Sequence, residues 1–333
     1  MTNAMILCAG LGTRLRPLTD ELPKPLVWLG DAPLVAHVVE RLARGGVRRV
    51  VINTHHLASV FHDGRLAGLP LEVGFVHEPR ILGTAGGVAG AGAALGEGDV
   101  LVWNGDILAD VDVGGLLEVH RGSGRLATLA VTPRHPDEAR VGEGTVGLGA
   151  GGEVVRLRGE RFGVEVRGAD FLGVHVVGAR LRADLPAEGC LVGDVYLPAL
   201  RAGGVLGSFA VAGGFRDLGT VDAYLEENRR WLRLTHRSAY VGAGATVDTE
   251  VALVGSVVGA GAIVRGRGVL RDVVVWPGAV ASAPLEGAVV MTDGRVVRPS
   301  RGRGGREEHL EVERGGAVDM APAEEREGAV RRG

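Results

Sequence analysis

Arg14 and Lys24 stand ten positions apart on a stretch built to bend around a ligand: Gly10-Leu11-Gly12-Thr13-Arg14-Leu15-Arg16-Pro17, then Pro23-Lys24-Pro25. The stretch leaves a short apolar run, Ala4-Met5-Ile6-Leu7, that reads as a first β-strand. Glycines let backbone N–H groups approach phosphate oxygens with no Cβ in the way. Arg14 and Lys24 add fixed positive charge at a polyphosphate. The pattern predicts a nucleoside triphosphate site on Gly10, Leu11, Gly12, Thr13, Arg14 and Lys24. It is not the common phosphate loop. G-x-x-x-x-G-K-[ST] is absent, and Leu15 stands where G-x-G-x-x-G needs its third glycine.

Asp106 is the next residue with chemistry in it. It follows Val100-Leu101-Val102-Trp103, a continuous apolar run of the kind found in a central strand buried on both faces. A residue just past such a strand lies at the carboxyl end of the sheet, where open α/β folds bind ligands. Mg²⁺ takes a few carboxylates together with phosphate oxygens and water, and Asp106 suits that role.

Taken together, Ala9-Gly10-Leu11-Gly12-Thr13-Arg14-Leu15-Arg16-Pro17-Leu18-Thr19 and Pro23-Lys24-Pro25-Leu26 resemble the signature of sugar-1-phosphate nucleotidyltransferases, the nucleotide-sugar pyrophosphorylases. Within that family the likeness is to the guanylyltransferases of mannose 1-phosphate. The resemblance implies attack of a sugar-1-phosphate oxygen on the α-phosphorus of an NTP, with pyrophosphate leaving. Such a reaction needs positioning and charge neutralisation rather than a protein nucleophile. It implies that Arg14 and Arg16 steady the β- and γ-phosphates, that Lys24 meets the α-phosphate, and that the Asn-Gly-Asp aspartate, Asp106, binds Mg²⁺. Asp217, in Asp217-Leu218-Gly219-Thr220, resembles the family's second metal ligand. Its other reading is an N-cap for a helix near Val221.

Gly83-Thr84-Ala85-Gly86 resembles the element whose backbone packs on the nucleobase. Glu78 precedes it, and a carboxylate accepts well from the two adjacent donors of guanine, which favours GTP. Its alternative is a solvent-exposed glutamate before Pro79. Gly144, in Gly144-Thr145-Val146, and Gly173, in Phe171-Leu172-Gly173, resemble elements lining the sugar pocket. One departure is visible. Many members carry Glu-Lys-Pro after the Glu153–Leu157 strand, the lysine binding the sugar phosphate. This chain has Arg156, Arg158, Glu160 and Arg161 there, and Arg161 or Arg158 is the expected replacement. Asn53-Thr54-His55-His56-Leu57 resembles a run in the branch that uridylylates N-acetylmuramic acid 1-phosphate. UTP or dTTP with glucose 1-phosphate, and heptose phosphate with GTP, are further members of the same reaction class. His55 and His56 read as structural, because no partner carboxylate or third histidine is close in sequence.

These residues need a scaffold. Strand-like segments 4–8, 49–53, 71–77, 100–104, 126–132 and 171–177 alternate with helix-like segments 34–44, 86–95, 113–121, 195–202 and 221–234. Such alternation predicts an α/β, Rossmann-like, mainly parallel sheet over residues 1–235. From Tyr240 aliphatics recur about every six positions: Val241, Val247 and Leu253, then, after a one-residue slip, Val258, Val264 and Leu270. That period predicts a parallel β-helix over 236–297. It resembles the left-handed hexapeptide-repeat helix found after the catalytic domain in many members. A homo-oligomer through that β-helix is the expected assembly. The Arg/Gly/Glu-rich segment 298–333 is expected to be a disordered tail.

Composition narrows the alternatives. The 333 residues are 46% hydrophobic and 23% charged, with a net charge of −3, which gives no reason to expect nucleic acid or an anionic membrane as partner. Cys8 and Cys190 form no spaced motif, so neither disulfides nor zinc is expected, and a cytoplasmic location without a secretory leader fits. Cys8 reads as a buried filler, with a reactive thiol as the lesser option. A regulatory subunit that only binds nucleotide-sugar would show losses among Arg14, Lys24, Asp106 and Asp217, and all four are present. Acyltransferase activity in the repeat would call for a histidine base, and there is no histidine between His236 and His309.

Overall fold

In the computed structural model, residues 2–134, 140–213 and 215–299 are described. The expected tail lies, from residue 300 onward, outside the described residues.

Strands Asn3–Leu7, Arg49–Thr54, Glu72–His77 and Val100–Asn104 pair in parallel, with Asn3–Leu7 between Val100–Asn104 and Arg49–Thr54. Their residues alternate between two cores, as a pleated strand covered on both faces must. Ile6, Ile52 and Trp103 enter one core, and Met5, Val51 and Val102 the other. Helix Leu34–Arg44, as expected from the sequence, covers the first face. Helix Gly83–Gly90 covers the second through Ala85 and Val88.

Beyond Val100–Asn104 the sheet changes direction. The eleven-residue strand Arg167–Val177 pairs antiparallel with Val100–Asn104, Ala127–Pro133 and Val146–Leu148. The expectation of a mainly parallel sheet therefore describes the half that carries Arg14, Lys24 and Asp106. The other half is mixed: Val146–Leu148 and Val154–Leu157 are antiparallel, joined by a turn too short for a parallel crossover, while Leu206–Ala210 pairs in parallel with Ala127–Pro133. Two helices also differ in detail. The 86–95 segment starts earlier, at Gly83, and breaks at Ala91 before a second piece, Gly92–Leu95. The 195–202 segment is a π-helical turn, Leu191–Tyr196, running into Leu197–Arg201.

After helix Val221–Leu234 the chain enters a second sheet, parallel in its rungs up to Val280–Val290 and closed by the antiparallel strand Val296–Val297. Val241 stands opposite Val258, Val247 opposite Val264, and Leu253 opposite Leu270. The six-residue series with its one-residue slip is thus the observed register. Val264, Leu270 and Trp276 point inward and are fully buried. Trp276 Nε1 donates to Tyr224 Oη at 3.0 Å, and Tyr224 Oη donates to the Trp28 carbonyl. One helix thereby ties the rungs to the short strand pair Trp28–Leu29 and Ala32–Pro33, and residues 1–299 form a single unit. Among the described residues, no helix is long and apolar enough to cross a membrane.

Candidate active site

Lys24, Asp106, Asp217 and Arg14 meet at the carboxyl ends of the parallel strands. Lys24 Nζ lies 2.9 Å from Asp106 Oδ2 and 2.7 Å from Asp217 Oδ1. Arg14 Nη2 lies 3.0 Å from Asp217 Oδ2. The Lys24 side chain is only 6% exposed, while Arg14 is 64% exposed and free to reach outward. Burial pushes the Asp217 carboxyl up, but the charges of Lys24 and Arg14 outweigh it and hold it below the ordinary aspartate value.

Local chemistry explains each position. Gly12 adopts φ +63°, and a Cβ there would come within 2.9 Å of Thr19 Cγ2. The turn Thr13–Leu15 that follows buries Leu15 and leaves Arg14 outward. Pro23 and Pro25 flank Lys24 in a tight 3₁₀ turn that holds the ammonium inward. Gly105 presses on the end of the first strand: its N–H donates to the Leu7 carbonyl at 2.9 Å, and a Cβ would meet Cys8 Sγ at 2.5 Å. Asp217 ends strand Phe215–Asp217, paired antiparallel with Ile107–Ala109 just past Asp106. It does not cap the following helix. Thr220 does so, accepting from the Ala223 N–H at 3.2 Å.

Other expected residues fall differently. Gly10 is exposed, with open space where a Cβ would be, and Leu11 is exposed beside it. Arg16 turns away to Asp20 at 3.4 Å. Glu78 is neither exposed nor available to a base. It is 2% exposed, Oε1 accepts from Asn53 Nδ2 at 2.7 Å, and Oε2 accepts from the Leu82 N–H at 3.0 Å. The expectation that it reads guanine is corrected on that ground. Gly83 (φ +75°) and Gly86 pack against the 187–189 backbone, and Thr84 Oγ1 accepts from the Leu191 N–H at 2.8 Å. The second glycine-rich turn is therefore held by the loop ahead of the π-helical turn.

On the sugar side, Gly144 (φ +74°) lies against Ala169 and Gly173 (φ +70°) against Asn104, both too close for a Cβ. Arg161 is exposed, cross-strand from Arg156, and its charge bears on Glu165. Arg156 itself is buried. It pairs with Glu165 at 2.9 Å and donates to the carbonyls of Glu143, Gly144 and Val146, which staples the Gly144 loop. Arg158 (φ +48°) donates to Cys190 Sγ at 3.3 Å. His55 and His56 hydrogen-bond backbone carbonyls, as a structural role requires. Burial, then the Asp106 charge, raises the Cys8 thiol well above its ordinary value, which makes it inert. Asn53 and Arg156 are the residues that sequence reasoning missed. A strand-terminal asparagine and an arginine inside an apolar strand were the available signals.

No group of three or more histidine, cysteine or carboxylate side chains gathers among the described residues. Two carboxylates that converge on one Nζ can instead share a single small cation, and these hard oxygen donors fit Mg²⁺, which takes its remaining ligands from phosphate and water.

Comparison with known proteins agrees with this geometry. Residues 3–158 match the Nucleotidyl transferase family. The mannose-1-phosphate guanylyltransferase of Mycobacterium tuberculosis is 37% identical over 131 residues, covering 38% of this chain and 36% of that protein. The N-acetylmuramate alpha-1-phosphate uridylyltransferase of Neisseria meningitidis serogroup B is 42% identical over 113 residues, covering 33% of this chain and 49% of that protein. The match thus spans less than half the length of these curated relatives. The crystal structure of HddC from Yersinia pseudotuberculosis complexed with GMP-PN shares the fold, with a TM-score of 0.57 at 23% identity over 69% of this chain and 100% of that chain. Over the domain that begins at its first strand, the chain is similar to sugar-1-phosphate nucleotidyltransferases.

Proposed function

We propose that the protein transfers a nucleoside monophosphate from an NTP to a sugar 1-phosphate, releasing pyrophosphate, with GTP and mannose 1-phosphate as the substrate pair. The observation that carries the reaction is Lys24 Nζ held between Asp106 and Asp217, with Arg14 on the outer oxygen of Asp217. A phosphate oxygen of the sugar phosphate attacks the α-phosphorus. The bond to the β-phosphate oxygen breaks, and pyrophosphate carries the electron pair away. Asp106 and Asp217 would hold Mg²⁺, which supplies neutralising charge at the phosphates. Lys24 turns its ammonium from the carboxylates to the α-phosphate, where charge develops. Arg14 binds the outer phosphates, and the 10–13 backbone cradles them. Gly83, Thr84 and Gly86 form the base-side wall; Gly144 and Gly173 line the sugar side, with Arg161 at the sugar phosphate.

The choice of GTP and mannose 1-phosphate rests on the name of the Mycobacterium relative, since Glu78 faces inward. A second pair, UTP with N-acetylmuramic acid 1-phosphate, is favoured by the Neisseria relative and by the Asn53–Leu57 run. The parallel rungs support a short left-handed β-helix that joins subunits. Light scattering would show an oligomer that a variant ending at residue 235 loses.

The test of the reaction is pyrophosphate release with Mg²⁺ over four NTPs and a panel of sugar 1-phosphates. A single strong pair, abolished in Asp106→Asn while the melting curve is kept, is the expected result. Silence across the grid with nucleotide-sugar still bound would replace the enzyme with a regulatory subunit. Wild-type turnover by Asp106→Asn would remove Asp106 from the metal site.

A further inference from the structure

The run Asn53–Leu57 leaves the parallel strand Arg49–Thr54 and contacts the segments ahead of both glycine-rich turns, yet the chemistry above uses none of its side chains. Asn53 Oδ1 accepts from the Cys8 N–H at 2.7 Å, at the start of the first glycine-rich loop. Asn53 Nδ2 donates to Glu78 Oε1 at 2.7 Å, and Glu78 Oε2 takes the Leu82 N–H at 3.0 Å, directly ahead of the second glycine-rich turn. His55 Nδ1 donates to the Glu78 carbonyl at 2.8 Å. His56 Nε2 donates to the Thr19 carbonyl at 2.8 Å, and Thr19 Oγ1 donates to the Gly12 carbonyl at 2.9 Å. Carbonyls only accept, so each imidazole carries its proton on the contacting nitrogen.

Asn53 and Glu78 are each 2% exposed, so every one of these polar atoms depends on its protein partner. The central position needs one acceptor and one donor on a single short side chain, which asparagine supplies. Gly87 closes the network: a Cβ there would come within 2.9 Å of Asn53 Nδ2 and 3.0 Å of Glu78 Oε1. The helix carrying the second turn is packed onto the same two side chains.

We propose that Asn53 is the positioning residue that sets the separation of the two glycine-rich loops, with Glu78 as its relay, so that order at one loop is transmitted to the other. Its consequence for nucleotide binding rests on the function proposed above. The coupling itself is a property of the free protein.

The test reads amide hydrogen exchange in the full chain without substrate, and KM for each substrate. Asn53→Asp sets two carboxylates against each other. Glu78→Gln leaves an amide nitrogen facing a donor, either Asn53 Nδ2 or the Leu82 N–H. The double variant, Asn53→Asp with Glu78→Gln, reverses the bond: the new carboxamide at position 78 donates to the new carboxylate at position 53, and both backbone amides keep their acceptors. Each single variant should speed exchange about tenfold or more in both 8–16 and 82–90, and raise the NTP KM while the sugar-phosphate KM stays. The double variant should return both segments close to wild type. Faster exchange confined to one segment, or a double variant no better than the worse single one, overturns the proposal. If Asn53→Asp does not fold, Glu78→Gln alone decides, by whether its effect reaches 8–16. A wild type without turnover would sink the proposed reaction and leave the exchange result standing.

Discussion

A buried ammonium shared by two carboxylates cannot lose its charge quietly, and Lys24 is in that position. Lys24→Ala would leave Asp106 and Asp217 facing each other with only Arg14 opposing them. If Lys24 acts on the α-phosphate as charge develops, kcat should fall by about 10²–10³ while the NTP dissociation constant changes far less. Single-turnover kinetics beside equilibrium binding measure the split, and equal losses in both would make Lys24 a ground-state binder. At this scale the sequence was informative wherever the chemistry dictates a residue type. Arg14, Lys24, Asp106 and Asp217 were each singled out by residue type, and the structure brings the four side chains together. Glu78 was misread, since a carboxylate at a strand end looks the same whether it faces a ligand or ties down the next turn. Arg156 was given no role of its own, because spacing does not reveal the inward-facing carbonyls that absorb it.

Segments follow the same division. Helix Leu34–Arg44, with its six buried apolar residues, was legible from periodicity alone. The π-helical turn Leu191–Tyr196 was not, because its form is set by contacts to the distant Gly83–Thr84 turn rather than by local propensity. The Asp217–Thr220 turn supplies a prediction at this scale. Gly219 lets Arg14 lie against Asp217, and a Cβ there would stand 2.8 Å from Arg14 Nη1. The group met first is the tip of a flexible, exposed side chain, with Asp217 Oδ2 next at 3.1 Å, so Gly219→Ala should part Arg14 from Asp217 without disturbing the fold. Losing so exposed an ion pair costs less than about 1 kcal/mol of stability. The NTP KM should nevertheless rise by about three- to tenfold, as expected for a charge-assisted phosphate contact. Urea titration and steady-state kinetics separate the two quantities, and an unchanged KM would take Arg14 off the phosphates.

For the molecule as a whole, acid should loosen the first sheet through a residue remote from the charged cluster. His175 is buried beside Tyr196, whose hydroxyl lies 3.0 Å from Nδ1, and burial lowers its pKa from 6.5 to about 3. The unfolded imidazole takes a proton at a pH where the folded one does not. Stability from this group is complete above 6.5 and drains away as the pH falls towards about 3. The urea midpoint should therefore decline over that window, and His175→Asn, which keeps an acceptor for Tyr196 but cannot take up the proton, should flatten the decline. A parallel decline in both proteins would place the acid sensitivity elsewhere. At this scale the register of the C-terminal rungs was visible in the six-residue aliphatic series. The reversal of direction at Arg167–Val177 was not, because pairing partners so far apart in sequence leave no local trace.

Lys24 and Asp217 are separated by 193 positions. A ribosome has therefore delivered the glycine-rich loops, the central strands and Asp106 well before the second carboxylate emerges. An interrupted or prematurely released chain could fold much of its first sheet and still lack Asp217, which arrives on the separate strand pair with Ile107–Ala109, leaving the Lys24 ammonium with one carboxylate instead of two.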